Sequence, residues 1–157
     1  MQIGEEESNG FEFDLAGEIT PNWNILASYA YIDARITKTA SNSEKDFDMQ
    51  RPSTPRHSGN IWTKYIITEG PLKHLGFEAG YNFVTERYGQ VGRRANTTVY
   101  PGYGLVNAVL YYKINQIQFQ ANLNNILNKT HWVGGYDKLR SFPGAPRNVN
   151  ISISYKF

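Results

Sequence analysis

Arg147-Asn148-Val149-Asn150-Ile151-Ser152-Ile153-Ser154-Tyr155-Lys156-Phe157 alternates from end to end. Successive side chains of an extended strand point to opposite faces, so Val149, Ile151, Ile153, Tyr155 and Phe157 share one face and Asn148, Asn150, Ser152, Ser154 and Lys156 the other. The stretch predicts one strand over 147–157. Soluble strands usually run about five or six residues, whereas a tilted strand crossing a bilayer needs about nine to eleven.

Six earlier segments carry the same period: 11–19, 24–36, 57–67, 75–87, 103–113 and 117–127. In the first, Phe11, Phe13, Leu15 and Ile19 oppose Glu12, Asp14 and Glu18. In the second, Ile25, Ala27, Tyr29 and Tyr31 oppose Leu26, Ser28 and Ala30, a weaker contrast. The third sets Ile61, Thr63, Tyr65 and Ile67 against Ser58, Asn60 and Lys64, with Trp62 a misfit on the polar side. The fourth alternates Leu75, Phe77, Ala79, Tyr81 and Phe83 with Gly76, Glu78, Gly80 and Asn82. The fifth offers Val106, Ala108, Leu110 and Tyr112, although Leu105, Val109 and Tyr111 blur its other face. The sixth opposes Ile117, Phe119, Ala121 and Leu123 to four consecutive amides, Gln118, Gln120, Asn122 and Asn124.

The connections alternate as well. Links 20–23, 68–74 and 114–116 are short and punctuated by Pro21-Asn22, Gly70-Pro71 and Asn115, while 37–56, 88–102 and 128–146 are long. In an up-and-down meander this puts every short turn at one rim and every long loop at the other, the asymmetry of an outer-membrane barrel.

Composition narrows the choice. The 157 residues include eleven Tyr, eight Phe and three Trp, yet mean hydropathy is −0.52, so apolar character is split along the chain rather than massed. No run approaches the roughly eighteen apolar residues of a helical span, a test to which barrel strands are invisible. The absence of cysteine excludes disulfides, thiolate metal sites and a cysteine nucleophile. A net charge of +2, spread along the chain, lacks the basic patch of a nucleic-acid binder. Residues 1–7 have neither the basic start nor the apolar core of a secretory signal.

An amphipathic meander buries its apolar face either inward around a core or outward against lipid. The amide and hydroxyl faces of 117–127 and 147–157 suit a wet lumen better than a lysine- and glutamate-rich soluble surface. Aromatics near strand ends (Phe11, Trp23, Tyr65, Tyr103, Tyr112, Tyr155 and Phe157) suit interfacial girdles.

The alternation ending in Phe157 resembles the C-terminal signature that the barrel-assembly machinery recognises, with Val149, Ile151, Ile153, Tyr155 and Phe157 as the signal. The stretches 10–24 and 27–34, Pro55-Arg56-His57, Asn125-Ile126-Leu127-Asn128 and Pro143-Gly144-Ala145-Pro146-Arg147 resemble, in order, the C-terminal third of TonB-dependent siderophore receptors. The fourth departs from that family's usual Asn-Leu-Phe-Asp at two positions. The resemblance implies an all-β fold: an antiparallel up-and-down transmembrane β-barrel of about twenty-two strands, of which residues 1–157 supply about the last seven. It implies a truncated product or partial sequence without the plug domain, the earlier strands and the TonB-engaging segment. It further implies a Gram-negative outer-membrane location, and an intact parent that imports a ferric siderophore with energy delivered through TonB. The expected partners are the siderophore, the TonB complex through the missing N-terminal part, the barrel-assembly machinery and outer-membrane lipid. The competing reading is a non-transporting barrel, either an autotransporter translocator or an adhesin. A soluble lipocalin-like binder stands third.

No enzyme, cofactor or metal site is expected. His57, His74 and His131 share no ligand spacing and read as surface histidines. Glu12, Asp14 and Glu18 read as a polar wall, and Gly134-Gly135 lacks the strand-before-helix setting of a phosphate loop. The ligand-binding candidates are long-loop aromatics and arginines: Tyr88, Arg93, Arg94 and Tyr100 on the middle link, and Trp132, Tyr136, Arg140 and Phe142 on the last. Rings offer rigid contact area, and guanidinium groups offer directional donors for an anionic chelate.

Overall fold

Residues 4–39, 50–89, 98–136 and 139–157 are described by the computed structural model. Among them every regular element is a strand. The seven long strands are β1 (Gly4–Thr20), β2 (Trp23–Thr39), β3 (His57–Ile66), β4 (Leu75–Val84), β7 (Tyr103–Ile114), β8 (Ile117–Asn124) and β11 (Asn148–Tyr155). They form a single antiparallel sheet in that order, each hydrogen-bonded to its neighbours in the chain. Two ribbons rise from the long connections: β5 (Arg87–Tyr88) with β6 (Val99–Tyr100), and β9 (Trp132–Gly135) with β10 (Ser141–Pro143). Sequence alternation missed both, because elements this short contain no full period to read.

Register joins the predicted faces into one surface. Directly opposite residues share a face, and Leu15↔Ala27, Ala27↔Ile61 and Ile61↔Tyr81 carry the apolar face from β1 to β4. Tyr81↔Val106, Ala108↔Leu123 and Leu123↔Val149 carry it on to β11. The weakly contrasted β2 and the blurred β7 both take the facing expected of them. The apolar face is also the more open one: in the middle of the sheet Ile61, Phe77, Tyr81 and Leu110 are exposed, whereas Gly76 and Gly80 opposite are buried and Glu78 is half-buried. A water-soluble antiparallel sheet would cover such a face. Here no layer lies over it among the described residues.

The polar face is concave, with a hollow of about 800 Å³ lined by residues from β1 to β8, including Glu18, Leu26, Trp62, Lys64, Glu78 and Asn122. Amides line its wall: Gln120 donates to Asn122 at 3.0 Å, Asn107 to Asn82 at 2.9 Å and Asn124 to Asn148 at 2.9 Å. Lys64 Nζ lies 3.5 Å from Glu78 and 5.1 Å from the Tyr111 ring centroid. Trp62, the misfit, is accommodated by its cross-strand partner: a Cβ at Gly80 would stand 2.3 Å from the indole, so only glycine lets the ring lie across the strand. Tyr111 uses Gly76 in the same way.

The two rims differ as expected. At one, Pro21-Asn22, the 67–74 turn and Asn115-Gln116 close short connections, with Gly70, His74 and Asn115 at positive φ. All three long connections leave from the other rim.

Candidate functional site

The long-connection rim is held by hydrogen bonds that begin where the strands end. Thr85 extends the β3–β4 ladder past β4: its N–H donates to His57 O at 2.9 Å and its hydroxyl accepts from His57 N at 3.0 Å. Beyond β8 the chain turns at Asn125 and Asn128, both in the left-handed region. Asparagine tolerates that conformation better than most residues. The buried Asn125 amide donates to Lys129 O at 2.9 Å and Ala145 O at 3.1 Å, and accepts from Lys129 N at 2.8 Å, clamping both ends of the last connection. The Asn125-Ile126-Leu127-Asn128 motif therefore has a local physical role.

His131 contradicts its reading as a surface histidine. It is 6% exposed, its ring lies 4.5 Å from that of Tyr103, and Nδ1 is 3.1 Å from Lys129 O. His57 is half-buried, with Nδ1 2.7 Å from Tyr29 Oη, and only His74 is exposed. Among the described residues no cluster of His, Asp or Glu is arranged to hold a metal ion.

The β9–β10 ribbon has two unlike faces. Gly135 pairs with Ser141 and Gly134 with Phe142. Gly135 and Ser141 face Tyr100, whose hydroxyl lies 3.1 Å from Ser141 Oγ and where a Gly135 Cβ would approach to 2.1 Å. By alternation Gly134, Tyr136 and Phe142 take the opposite face, where both aromatics are exposed, while a register shift pairs the likewise exposed Trp132 with Pro143 instead. Tyr136 and Phe142 meet edge to face at 6.1 Å, and the Arg140 guanidinium stands 5.5 Å from the Tyr136 centroid.

Three of the sequence candidates are thus brought together, Tyr136, Arg140 and Phe142, with Trp132 exposed elsewhere on the same ribbon. Tyr88 is half-buried on β5. Tyr100, at 3% exposure, is an anchor between ribbons rather than a ligand surface. Arg93 and Arg94 lie outside the described residues. Sequence reasoning missed Arg87, also 3% exposed, which donates to Trp132 O and stands 5.4 Å from the Tyr103 ring centroid. Its position at a strand end gave no signal of this.

On β11 the side chains of Val149, Ile151, Ile153 and Tyr155, with Phe157 beyond it, are all exposed on the apolar face, and Tyr155 and Phe157 meet edge to face at 5.1 Å.

A family model described as "TonB dependent receptor-like, beta-barrel" matches residues 1–126. The chain belongs to this family. Over 99% of its length this TonB-dependent receptor barrel is 31% identical to the probable TonB-dependent siderophore receptor PiuA of Acinetobacter baumannii, covering 21% of that protein. It is 29% identical over 98% of its length to the metal-pseudopaline receptor CntO of Pseudomonas aeruginosa, again 21% of that protein. Among solved structures it superimposes on PiuA with a TM-score of 0.81, covering 98% of this chain and 22% of that one. On the ferric-catecholate import receptor Fiu of Escherichia coli the TM-score is 0.82 at 25% identity, covering 99% of this chain and 22% of that one. The chain spans about a fifth of the length of the curated relatives it matches. Membership of a family of receptor barrels sets aside the autotransporter, adhesin and lipocalin-like alternatives.

Proposed function

We propose that these residues form part of an outer-membrane receptor of a Gram-negative cell, and that the intact parent imports a ferric siderophore with energy delivered through TonB. The exposed apolar face contacts lipid, and the concave polar face lines the lumen of a barrel of about twenty-two strands. The plug, the remaining strands and the TonB-engaging segment belong to the parent outside these residues. Val149, Ile151, Ile153, Tyr155 and Phe157 act as the signal read by the barrel-assembly machinery.

The observation that carries the reading of the site is the outer surface of the β9–β10 ribbon, where Tyr136 and Phe142 meet exposed with Arg140 over one ring and Trp132 is also exposed. Such a face suits a rigid, partly aromatic anionic chelate: rings supply contact area at low entropic cost and the guanidinium supplies charge. The names of the relatives, a siderophore receptor and a ferric-catecholate import receptor, support the same class of cargo. Tyr88, Arg93 and Arg94 remain candidates on the neighbouring connection.

The test is chelate binding by the intact parent with Trp132, Tyr136 and Phe142 all replaced by Ala. Rings worth about 0.5–1.5 kcal/mol each give a loss of at least about tenfold in affinity. Unchanged affinity across a panel of ferric catecholates and hydroxamates, with the unaltered receptor binding one of them, would reject this face as the capture surface.

A further inference from the structure

We propose that the β5–β6 ribbon is a keystone that ties the other two long connections into one mechanical unit, with Arg87 and Tyr100 as positioning residues for an aromatic face that neither forms. Arg87 and Tyr100 are direct cross-strand partners, so both side chains leave the same face of the ribbon. Each is 3% exposed. Tyr100 fits against Gly135 and Ser141, and Arg87 donates to Trp132 O, so this one face grips both strands of β9–β10. Gly89 completes the contact: a Cβ there would stand 2.7 Å from Tyr136 O.

The same ribbon also holds the first long connection through its backbone. Ser53 N–H, at the far end of that link, donates to Tyr88 O at 2.8 Å. Residues far apart in sequence, Ser53, Arg87, Tyr100, Trp132 and Ser141, therefore converge on two short strands. Arg87 is a buried cation that no carboxylate pairs among the described residues; its charge is met by a carbonyl and the Tyr103 ring. A group so expensive to bury needs its few partners in place, which makes the contact sensitive to displacement on either side.

The role assigned to Arg87 and Tyr100 rests on the proposed capture face, but the coupling itself needs no ligand. It is read by hydrogen–deuterium exchange on the intact parent receptor, ligand-free, in lipid vesicles. Tyr100→Ala is expected to accelerate exchange about tenfold or more in 132–135 and 141–142 and at Ser53, leaving the β7–β8 ladder unchanged. Tyr100→Phe keeps the ring and should restore protection. Thermodynamic coupling is reciprocal, so Gly135→Ala, which pushes on the Tyr100 hydroxyl from the last connection, should accelerate exchange at Gly89 and at Ser53 on the other two. If Tyr100→Ala prevents folding, Gly135→Ala alone decides. Acceleration confined to the connection carrying the substitution would overturn the proposal, as would a Tyr100→Phe receptor as unprotected as Tyr100→Ala. Failure of the capture face shows instead as normal chelate binding by the triple-alanine variant, which leaves these exchange rates untouched.

Discussion

Replacing Ile61 by arginine tests the facing of the whole sheet at its most informative depth. Ile61 lies near the middle of β3, four residues from His57 at one edge of the strand and four from Tyr65 near the other. At about 3.3 Å per residue and a tilt near 40°, each edge is roughly 10 Å away along the membrane normal. The position therefore sits near the centre of a band about 25 Å tall, where a lipid-facing arginine costs about 2–4 kcal/mol. Ile61 is 47% exposed, and its cross-strand neighbours Ala27 and Tyr81 provide no counter-charge. The control is Asn60→Arg, one residue away on the concave face. It loses a hydrogen bond to Ser28 Oγ but keeps its charge in water, for a cost of about 1 kcal/mol. Urea titration of the parent receptor folded into vesicles, followed by heat-modifiable gel migration, measures both. Equal destabilisation by the two substitutions would refute the assignment of lipid and lumen faces.

Three further outcomes are expected. Gly80→Leu forces the Trp62 ring off the strand and should cost about 1–3 kcal/mol with a shift in tryptophan emission; an unshifted spectrum would mean the ring never lay there. Asn125→Ala loses three side-chain hydrogen bonds and places alanine at a φ of 51°, so the last connection should open locally by about 2–4 kcal/mol and be cleaved faster by protease, with Asn125→Gly milder. Phe157→Ala removes the edge-to-face contact with Tyr155 and the last residue of the proposed assembly signal, and should reduce the amount of assembled receptor in outer-membrane fractions several-fold while synthesis is unchanged.

The long strands were legible because each spans several full periods, and a one-residue error of register would have turned every apolar side chain to the other face. Where side chains are small, as in Ala27, Ser28 and Ala30, the sequence gives little contrast, and the facing of β2 comes from its two neighbours. The position of Trp62 could not be rationalised from its own strand, since the glycine that admits it belongs to the next. Tyr100 and Tyr136 look equivalent in sequence, yet one is an anchor and the other exposed; which is which depends on how two ribbons of two to four residues per strand meet. Arg87 is set by the same long-range meeting and His131 by its packing against Tyr103, whereas Asn125 clamps the ends of its own connection and left a local trace in the Asn125-Ile126-Leu127-Asn128 motif.

The strict division of the sheet into two faces has a consequence for how such a chain travels. Before pairing, each strand averages its apolar and amide residues over a few ångströms, and no stretch is greasy enough to be arrested as a helix in the first membrane it meets. Attraction for a bilayer is then acquired only when neighbouring strands lock into register and their apolar halves merge into one continuous surface. Insertion is thereby coupled to correct strand pairing.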